Sequence, residues 1–253
     1  MAFLPKSTRL VVVRASDVGR PHRDAHNRTK RYFASVTAHN RQARMEPEFW
    51  HKRWQQRQIG FHQTDVHPLL QHFWPTLNLT HGSEVLVPLC GKSKDMLWLR
   101  QQGHAVLGVE LSEIALREFI DEHRLDALPV QHAHYCGYDL PDMTLLCGDF
   151  FHLSAADCTE VRAVYDRAAL VALPPALRQR YVEHMLAVLP SGCEVLLISM
   201  ESQQLGDSGP PFMVDEAEIR QRFRNARSVE CLHTHATDRK GVPMAEKVYR
   251  IQL

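Results

Sequence analysis

The stretch VLVPLCGKSKD contains a Gly-Lys-Ser triplet at residues 91–93, and loops that bind nucleoside triphosphates end in the same triplet. Those loops also begin with a glycine, in the pattern G-x-x-x-x-G-K-S, so that their amides can surround the phosphates. The corresponding position is Leu86, which lies inside an apolar run, and no glycine lies between it and Gly91. The triplet therefore does not predict a kinase or an ATPase.

The same loop also lacks the dinucleotide fingerprint G-x-G-x-x-G, because Gly91 is its single glycine. An acid, Glu110, follows the second apolar run, 19 residues after Gly91. In doubly wound sheets an acid at this place accepts hydrogen bonds from ribose hydroxyls. A nucleoside with an amino-acid tail and no phosphate fits these features, so the sequence predicts S-adenosylmethionine as the cofactor. The alternative for Glu110 is a surface acid beside a helix.

Two further apolar runs end in polar residues that would face the same crevice. The third run ends in CGDFF, where Asp149 could bind the exocyclic amine of adenine and Phe150 could stack on its ring. The fourth ends in YDRAAL, which brings Asp166 and Arg167 to the carboxyl end of a strand. For Arg167 the alternative is a buried ion pair with Asp166 or Asp149.

Apolar runs and amphipathic segments alternate through most of the chain. The short continuous apolar runs predict buried strands, and the segments with apolar residues at helical spacing predict helices. Candidate helix caps are Ser93, Ser112 and Asp215. The predicted helices span 46–57, 67–77, 93–103, 112–123, 175–189 and 214–223. The predicted strands span 84–89, 105–111, 143–151, part of 163–173, 194–200, 228–235 and 245–253.

This alternation predicts an α/β fold with a doubly wound, mainly parallel, seven-stranded sheet of Rossmann-like type. The last two strands have no helix between them, so we expect an antiparallel hairpin at the sheet edge. Residues 128–142 are an insertion, for which a small hairpin is one interpretation. With no internal repeat, residues 45–253 are predicted to form a single domain.

The charge of the chain is unevenly distributed. The formal net charge is +1, but residues 1–44 carry +8 and the remainder carries −7. The mildly acidic body gives no reason to expect a nucleic-acid partner, and no apolar run is long enough to span a membrane. The six cysteines form no C-x-x-C pair and no secretion signal is evident, so we expect reduced thiols in the cytoplasm.

The first 44 residues are rich in arginine and lack sustained periodicity. A basic nucleic-acid-binding arm or a transit-like peptide is one hypothesis for them. We expect instead a disordered extension that is not part of the working protein. Met45 would serve as a start, because the folded pattern begins directly after it.

Six ordered motifs resemble the thiopurine S-methyltransferase family, in particular its bacterial branch. They are FWHKRW, VPLCGKSKDMLWL, GVELSEIA, GDFF, YDRAALVALP and GPPF, and the resemblance covers residues 45–253. It implies a class I methyltransferase fold and S-adenosylmethionine-dependent methylation of aromatic and heterocyclic thiols, typified by 6-mercaptopurine. It also implies selenium and tellurium species as acceptors in bacteria, and a monomer.

Carried onto this sequence, the resemblance implies cofactor contacts at Trp54, Leu89, Glu110 and Arg167. The positions of Gly91, Asp149 and Phe150 after predicted strands make these residues further candidates for binding the cofactor. Methyl transfer to a thiolate is an in-line displacement that depends mainly on alignment.

A nearby cation would favour the thiolate form of the acceptor. Arg167 is the first candidate for this catalytic role and Arg239 the second, although Arg239 could equally be a solvated turn residue. Phe212, in the loop DSGPPFMV, could stack on a flat acceptor. Phe61 could help to close an apolar substrate pocket.

Other chemistries and other classes of protein must also be considered. The histidine pairs HAH and HTH lack the spacing of a metal site, so we expect no metal. Cys90 could be a reactive thiol, but no histidine is placed to activate it. A methyltransferase for nucleic acid or protein, or a non-catalytic S-adenosylmethionine-binding protein, would share much of this pattern.

Overall fold

The computed structural model describes residues 47–253 except residues 133, 205–208 and 240. For residue 239 it describes only the backbone. The predicted extension, residues 1–44, lies outside the described part. The helices are Pro47–Gln55 (α1), Pro68–Phe73 (α2), Asp95–Gln101 (α3), Glu113–His123 (α4), Pro175–Val188 (α5) and Glu216–Arg222 (α6). Short 3-10 helices span Trp74–Leu77, Phe150–His152 and Leu170–Ala172. No described helix has both the length and the apolar character needed to cross a membrane.

Nine described strands form one sheet in the order β3-β4-β5-β2-β1-β6-β7-β9-β8. They are Glu84–Pro88 (β1), Ala105–Glu110 (β2), Leu128–His132 (β3), Tyr135–Leu140 (β4), Met143–Cys147 (β5), Val161–Arg167 (β6), Glu194–Glu201 (β7), Ser228–Arg239 (β8) and Val242–Gln252 (β9). The central strands β5, β2, β1, β6 and β7 pair in parallel. The predicted α/β, mainly parallel class is confirmed.

The sheet has nine strands rather than seven because the insertion at 128–142 forms β3 and β4. These two strands pair with each other and with β5 in antiparallel fashion, which extends one edge of the sheet. At the other edge β9 pairs antiparallel to both β7 and β8, which confirms the predicted hairpin. That hairpin is longer than predicted, since its strands continue to Arg239 and start again at Val242.

Helices cover both faces of the sheet because neighbouring side chains on a buried strand point in opposite directions. On one face Val85 and Val87 of β1 pack with the side chains of α2, α3 and α4. On the other face Leu86 packs with α5 and α6. Continuous apolar runs such as EVLVP are the sequence signature of strands buried in this way.

Asp215 and Ser112 occupy the cap positions predicted for them, whereas Ser93 does not. Asp215 caps α6 as predicted, since its Oδ1 accepts a hydrogen bond from the amide of Glu218 at 2.7 Å. Helix α3 begins later than predicted, and Ser93 instead accepts a 3.2 Å hydrogen bond from the amide of Asp95 through its hydroxyl. Ser112 occupies the cap position of α4, but its buried hydroxyl has no partner among the described residues.

The strand order reverses between β2 and β6, which lie on opposite sides of β1. In open α/β sheets, ligands bind beyond the carboxyl ends of the strands at such a switch point. The loops that follow β1, β2, β5 and β6 meet at this edge, and they carry the candidate residues.

Candidate functional site

The loop after β1 makes a tight turn through two left-handed residues. Leu89 has φ of 48° and Gly91 has φ of 54°. The indole of Trp54, from α1, covers this turn so closely that a Cβ on Gly91 would lie 3.3 Å from its ring. The turn therefore needs a glycine at residue 91 for both its backbone conformation and its contact with Trp54.

Glu110 ends β2 directly beside this loop and is 6% exposed. One carboxylate oxygen accepts a hydrogen bond of 2.9 Å from the amide of Gly91, and the other accepts one of 2.8 Å from the amide of Ser112. Burial raises the pKa of Glu110, while the hydrogen bonds from the amides oppose this shift. Glu110 also lines the cavity, where its carboxylate can accept a hydrogen bond from a ligand.

Arg167 ends β6 on the opposite side of β1, and neither of its two suspected carboxylate partners binds it. Asp166 points to the other face of the sheet, where it accepts hydrogen bonds from the Tyr181 hydroxyl at 2.7 Å and the Leu170 amide at 3.1 Å. The carboxylate of Asp149 accepts from the amide of Phe151. Among the described residues, no ion pair of 4.0 Å or less involves Arg167.

Asp149 and Phe150 follow β5 and form the wall beside Glu110. Asp149 caps the 3-10 helix that begins at Phe150, and its carbonyl accepts a hydrogen bond of 3.0 Å from the Tyr135 hydroxyl. Phe150 packs against Tyr181 of α5, with ring centroids 5.0 Å apart. The strand end and the capped turn thus hold both residues rigidly at the crevice.

These residues line one cavity of about 680 Å³, a size typical of sites for small molecules and cofactors. Its lining brings together most of the residues proposed from the sequence: Trp54, Phe61, Leu89, Gly91, Glu110, Asp149, Phe150 and Arg167. Two further prolines, Pro210 and Pro211, close it from the loop that follows β7. Phe61 packs edge-on against Trp54, with centroids 5.7 Å apart.

One proposed residue, Phe212, is not among the residues that line this cavity. Phe212 is 6% exposed, its amide donates to the carbonyl of Val171 at 2.7 Å, and its ring packs over Gly209 away from the cavity. Arg239 is the last residue of β8, and its side chain lies outside the described residues. The prediction that Phe212 stacks on an acceptor therefore has no support in its position.

The side chains of the Gly-Lys-Ser stretch do not form a phosphate site. Lys92 is turned toward α4, where its Nζ lies 2.7 Å from a carboxylate oxygen of Glu118 and 2.5 Å from one of Glu122. Burial raises the pKa of the Cys90 thiol well above its usual value, so this cysteine is not a reactive thiolate. Within the described ranges no three histidine, cysteine or acidic side chains cluster as metal ligands would.

A polar group that the sequence does not predict lies beside Arg167 in the cavity lining. Asp95 accepts hydrogen bonds from the backbone amide of His67 at 2.8 Å and from the Tyr165 hydroxyl at 2.9 Å. The Nε2 atom of His67 lies 3.5 Å from a carboxylate oxygen of Glu246. Asp95, Tyr165 and Glu246 line the cavity. These residues come from α2, α3, β6 and β9, so no local spacing in the sequence indicates their contact.

The described side chains fit S-adenosylmethionine. A buried acid stands at the ribose position of the switch point, a strained turn brings backbone close to it, and aromatic rings enclose the space. The loop has no phosphate-binding glycines, which agrees with a cofactor that carries no phosphate. Fold and site together define a class I S-adenosylmethionine-dependent methyltransferase.

Solved structures support this class at the level of the fold. A Burkholderia thailandensis 1,6-didemethyltoxoflavin-N1-methyltransferase, solved with S-adenosylhomocysteine, superposes with a TM-score of 0.59 at 14% identity, covering 93% of this chain and 92% of that one. An S-adenosylmethionine-dependent methyltransferase from Anabaena variabilis superposes with a TM-score of 0.56 at 14% identity, covering 82% and 95%.

Sequence comparison identifies the family. The profile of the thiopurine S-methyltransferase family matches residues 45–252. The thiopurine S-methyltransferase of Azotobacter vinelandii is 46% identical over 82% of this chain and 99% of its own length. That of Pseudomonas entomophila is 51% identical over 71% of this chain and 83% of its own. The chain belongs to the thiopurine S-methyltransferase family, and it transfers methyl groups from S-adenosylmethionine to sulfur.

Proposed function

We propose that the acceptors are aromatic and heterocyclic thiols, of which 6-mercaptopurine is typical. The observation that supports this best is the guanidinium of Arg167, which lines a cavity bordered by several aromatic rings and has no carboxylate partner within 4.0 Å among the described residues. A cation in such surroundings attracts an anion, and the anion needed for methylation at sulfur is a thiolate.

The cofactor would be held by Trp54, Leu89, Gly91 and Glu110, with Asp149 and Phe150 around its base. When bound, S-adenosylmethionine supplies a methyl group that is already activated by the positive charge on sulfur. Glu110 is suited to bind ribose hydroxyls because its two oxygens are fixed by the amides of Gly91 and Ser112. The protein's main task is then to hold the acceptor in line with the methyl group.

Arg167 favours the ionised acceptor by charge and by hydrogen bonding. Heteroaryl thiols are acidic enough to ionise near neutral pH, so this arrangement needs no strong general base. Apolar side chains around the site, among them Trp50, Phe61 and Met200, would exclude water and strengthen the attraction between Arg167 and the thiolate. Selenium and tellurium acceptors are also part of this proposal, since their anions need the same cation.

The test is steady-state methylation of 6-mercaptopurine by the wild type and by Arg167→Met. We expect kcat/KM to fall about 10- to 100-fold in this variant, because a hydrogen bond to a charged group is lost. The remaining activity should rise with pH until the thiol is ionised in solution. Arg167→Lys keeps the charge and should retain part of the activity.

The matched control is Arg162→Met. Arg162 lies on the same strand, is exposed and pairs with Glu160, so its loss should leave kcat/KM unchanged. Wild-type kcat/KM and an unchanged pH profile in Arg167→Met would contradict the proposed role of this cation.

A further inference from the structure

The cavity has a second acidic residue, Glu246, on the side opposite Glu110. Glu246 lies on β9 and is paired in register with Met200, at the carboxyl end of β7. In the order of the sheet, β2 with Glu110 and β9 with Glu246 lie on either side of β6 with Arg167. Arg167 therefore lies between Glu110, on the side proposed to bind the cofactor, and Glu246, on the side left for the acceptor.

One oxygen of Glu246 is held by His67. The Nδ1 atom of His67 accepts a hydrogen bond of 3.3 Å from the amide of Leu69, so the ring hydrogen lies on Nε2. That nitrogen is 3.5 Å from Oε1 of Glu246, and His67 is itself fixed because its amide donates to Asp95. The position of Glu246 is thus set by buried neighbours rather than by solvent.

The other oxygen of Glu246 remains available to a ligand. The side chain is 15% exposed and lines the cavity, and Oε2 has no hydrogen-bond partner among the described residues. The hydrogen bond from His67 lowers the pKa of Glu246, an effect that the charge of Arg167 reinforces and burial opposes. A charged acceptor oxygen therefore faces the cavity at neutral pH.

A carboxylate in this place would repel a bare thiolate but would accept a hydrogen bond from a ring N–H. A cation for the sulfur and an acceptor for an N–H fit the two ends of a heterocyclic thiol. Building on the proposed function, we propose that Glu246 is a specificity-determining residue that selects heterocyclic thiols which keep a ring N–H when the sulfur is ionised. Simple aryl thiols would gain nothing from this contact.

Two bicyclic acceptors of similar size test this selection. The anion of 2-mercaptobenzimidazole keeps one ring N–H, whereas the anion of 2-mercaptobenzothiazole has ring sulfur there and no N–H. The quantity measured is the ratio of kcat/KM for the first acceptor to kcat/KM for the second. The two thiols differ in acidity, so the wild-type ratio serves as the reference against which each variant is compared. Glu246→Met should lower the ratio about 10-fold or more, because the acceptor for the N–H is removed.

Two further variants sharpen the result. Glu246→Gln keeps an uncharged acceptor oxygen, so its ratio should fall between those of the wild type and Glu246→Met. Glu230→Met removes an exposed carboxylate from β8, on the same hairpin but outside the cavity lining, and should leave the ratio unchanged. If turnover is too slow to measure, the ratio is taken from the affinities of the two acceptors for the complex with S-adenosylhomocysteine.

The outcomes separate the two proposals. A ratio in Glu246→Met that stays within about twofold of the wild-type ratio overturns the role of Glu246, even if both activities fall together. In that case wild-type turnover of both acceptors would still support S-methylation of aromatic thiols. A wild type that binds the cofactor but methylates neither acceptor overturns the proposed function, and the selection by Glu246 with it.

Discussion

The carboxylate of Glu110 accepts a hydrogen bond of 2.9 Å from the backbone amide of Gly91, across 19 residues of sequence. This contact joins the turn after β1 to the end of β2 and fixes the acid that the sequence pattern assigns to ribose. The other oxygen is held by the amide of Ser112 at 2.8 Å. Both carboxylate oxygens are thus held in place by backbone amides, and such fixing of a binding group lowers the entropic cost of binding a ligand.

Replacing Glu110 with glutamine should weaken both the fold and cofactor binding. The backbone amides of Gly91 and Ser112 both donate to residue 110. In Glu110→Gln the side-chain NH₂ group must face one of these donors, so that hydrogen bond is lost and the backbone N–H is left unpaired. We expect the free energy of unfolding to fall by about 1–3 kcal/mol. The affinity for S-adenosylhomocysteine should fall about 10-fold or more by calorimetry.

The control for this prediction is Glu113→Gln, in the first turn of α4. Glu113 is exposed and pairs with Arg117 at the surface. The free energy of unfolding of the Glu113→Gln variant should therefore differ from that of the wild type by less than about 0.5 kcal/mol. Equal effects of the two substitutions on cofactor affinity would contradict the account of Glu110.

Substituting Gly91 with alanine should move Trp54. Both the left-handed φ of 54° and a Cβ 3.3 Å from the indole act against a side chain there. Gly192→Ala is the matched control, because Gly192 has φ of 79° but no atom within 4 Å of a built Cβ. Both variants should lose about 1 kcal/mol of stability from the backbone alone.

The two glycine variants should differ in a second measurement. Only Gly91→Ala should change the tryptophan fluorescence and reduce the affinity for S-adenosylhomocysteine. Identical affinities in Gly91→Ala and Gly192→Ala would show that the contact between Trp54 and the turn is unimportant for the cofactor.

Asp166 should make stability depend on pH. Burial raises its pKa from an ordinary value of 3.8 to about 6, against hydrogen bonds from Leu170 and Tyr181. The folded chain therefore holds this proton more tightly than the unfolded chain, so the stabilisation is complete below about pH 4 and is lost as the pH rises through about 6. Asp166→Asn cannot titrate, which allows this contribution to be isolated.

The measurement is urea unfolding of the wild type and Asp166→Asn between about pH 4 and about pH 7. The free energy of unfolding of the wild type, relative to the variant, should fall by an amount on the order of 2–3 kcal/mol over this range. A difference that stays constant with pH would mean that Asp166 keeps its ordinary pKa in the folded chain.

A chain that starts at Met45 should be as active as the full chain. The family profile begins at residue 45, and the cavity lining begins at Pro47. A small thiol needs no basic arm for its recruitment, so kcat/KM for 6-mercaptopurine should be equal within error in the two chains. Loss of this activity in the shorter chain would assign residues 1–44 a role in the enzyme.

The sequence is sufficient to predict the α/β class and the gathering of several proposed residues around one cavity, because both follow from local patterns. The runs EVLVP and AVLGVE are buried on both faces, and the acid at the end of the second run lies at a fixed distance from the glycine after the first. Six of the cavity-lining residues proposed from the sequence end a β-strand or lie in the turn that directly follows one: Leu89, Gly91, Glu110, Asp149, Phe150 and Arg167. A strand end determines where such a residue lies.

The acceptor half could not be predicted in the same way. Asp95 and Tyr165 meet across 70 positions, and Glu246 comes from the edge hairpin. Asp166 and Arg167 are neighbours on β6, so their side chains point to opposite faces of the sheet. This arrangement excludes an ion pair between them, and it depends on where the strand begins and ends. Phe212 is absent from the cavity lining, and its contacts with Val171 and Gly209 depend on the fold rather than on a local pattern.

The most direct test of the account is methyl transfer from isotopically labelled S-adenosylmethionine to 6-mercaptopurine, with the methylated atom identified by NMR. We expect catalytic formation of the S-methyl product, with the rate reduced in Arg167→Met. Methylation at a ring nitrogen would contradict it. So would the absence of transfer by a chain that binds S-adenosylmethionine in calorimetry.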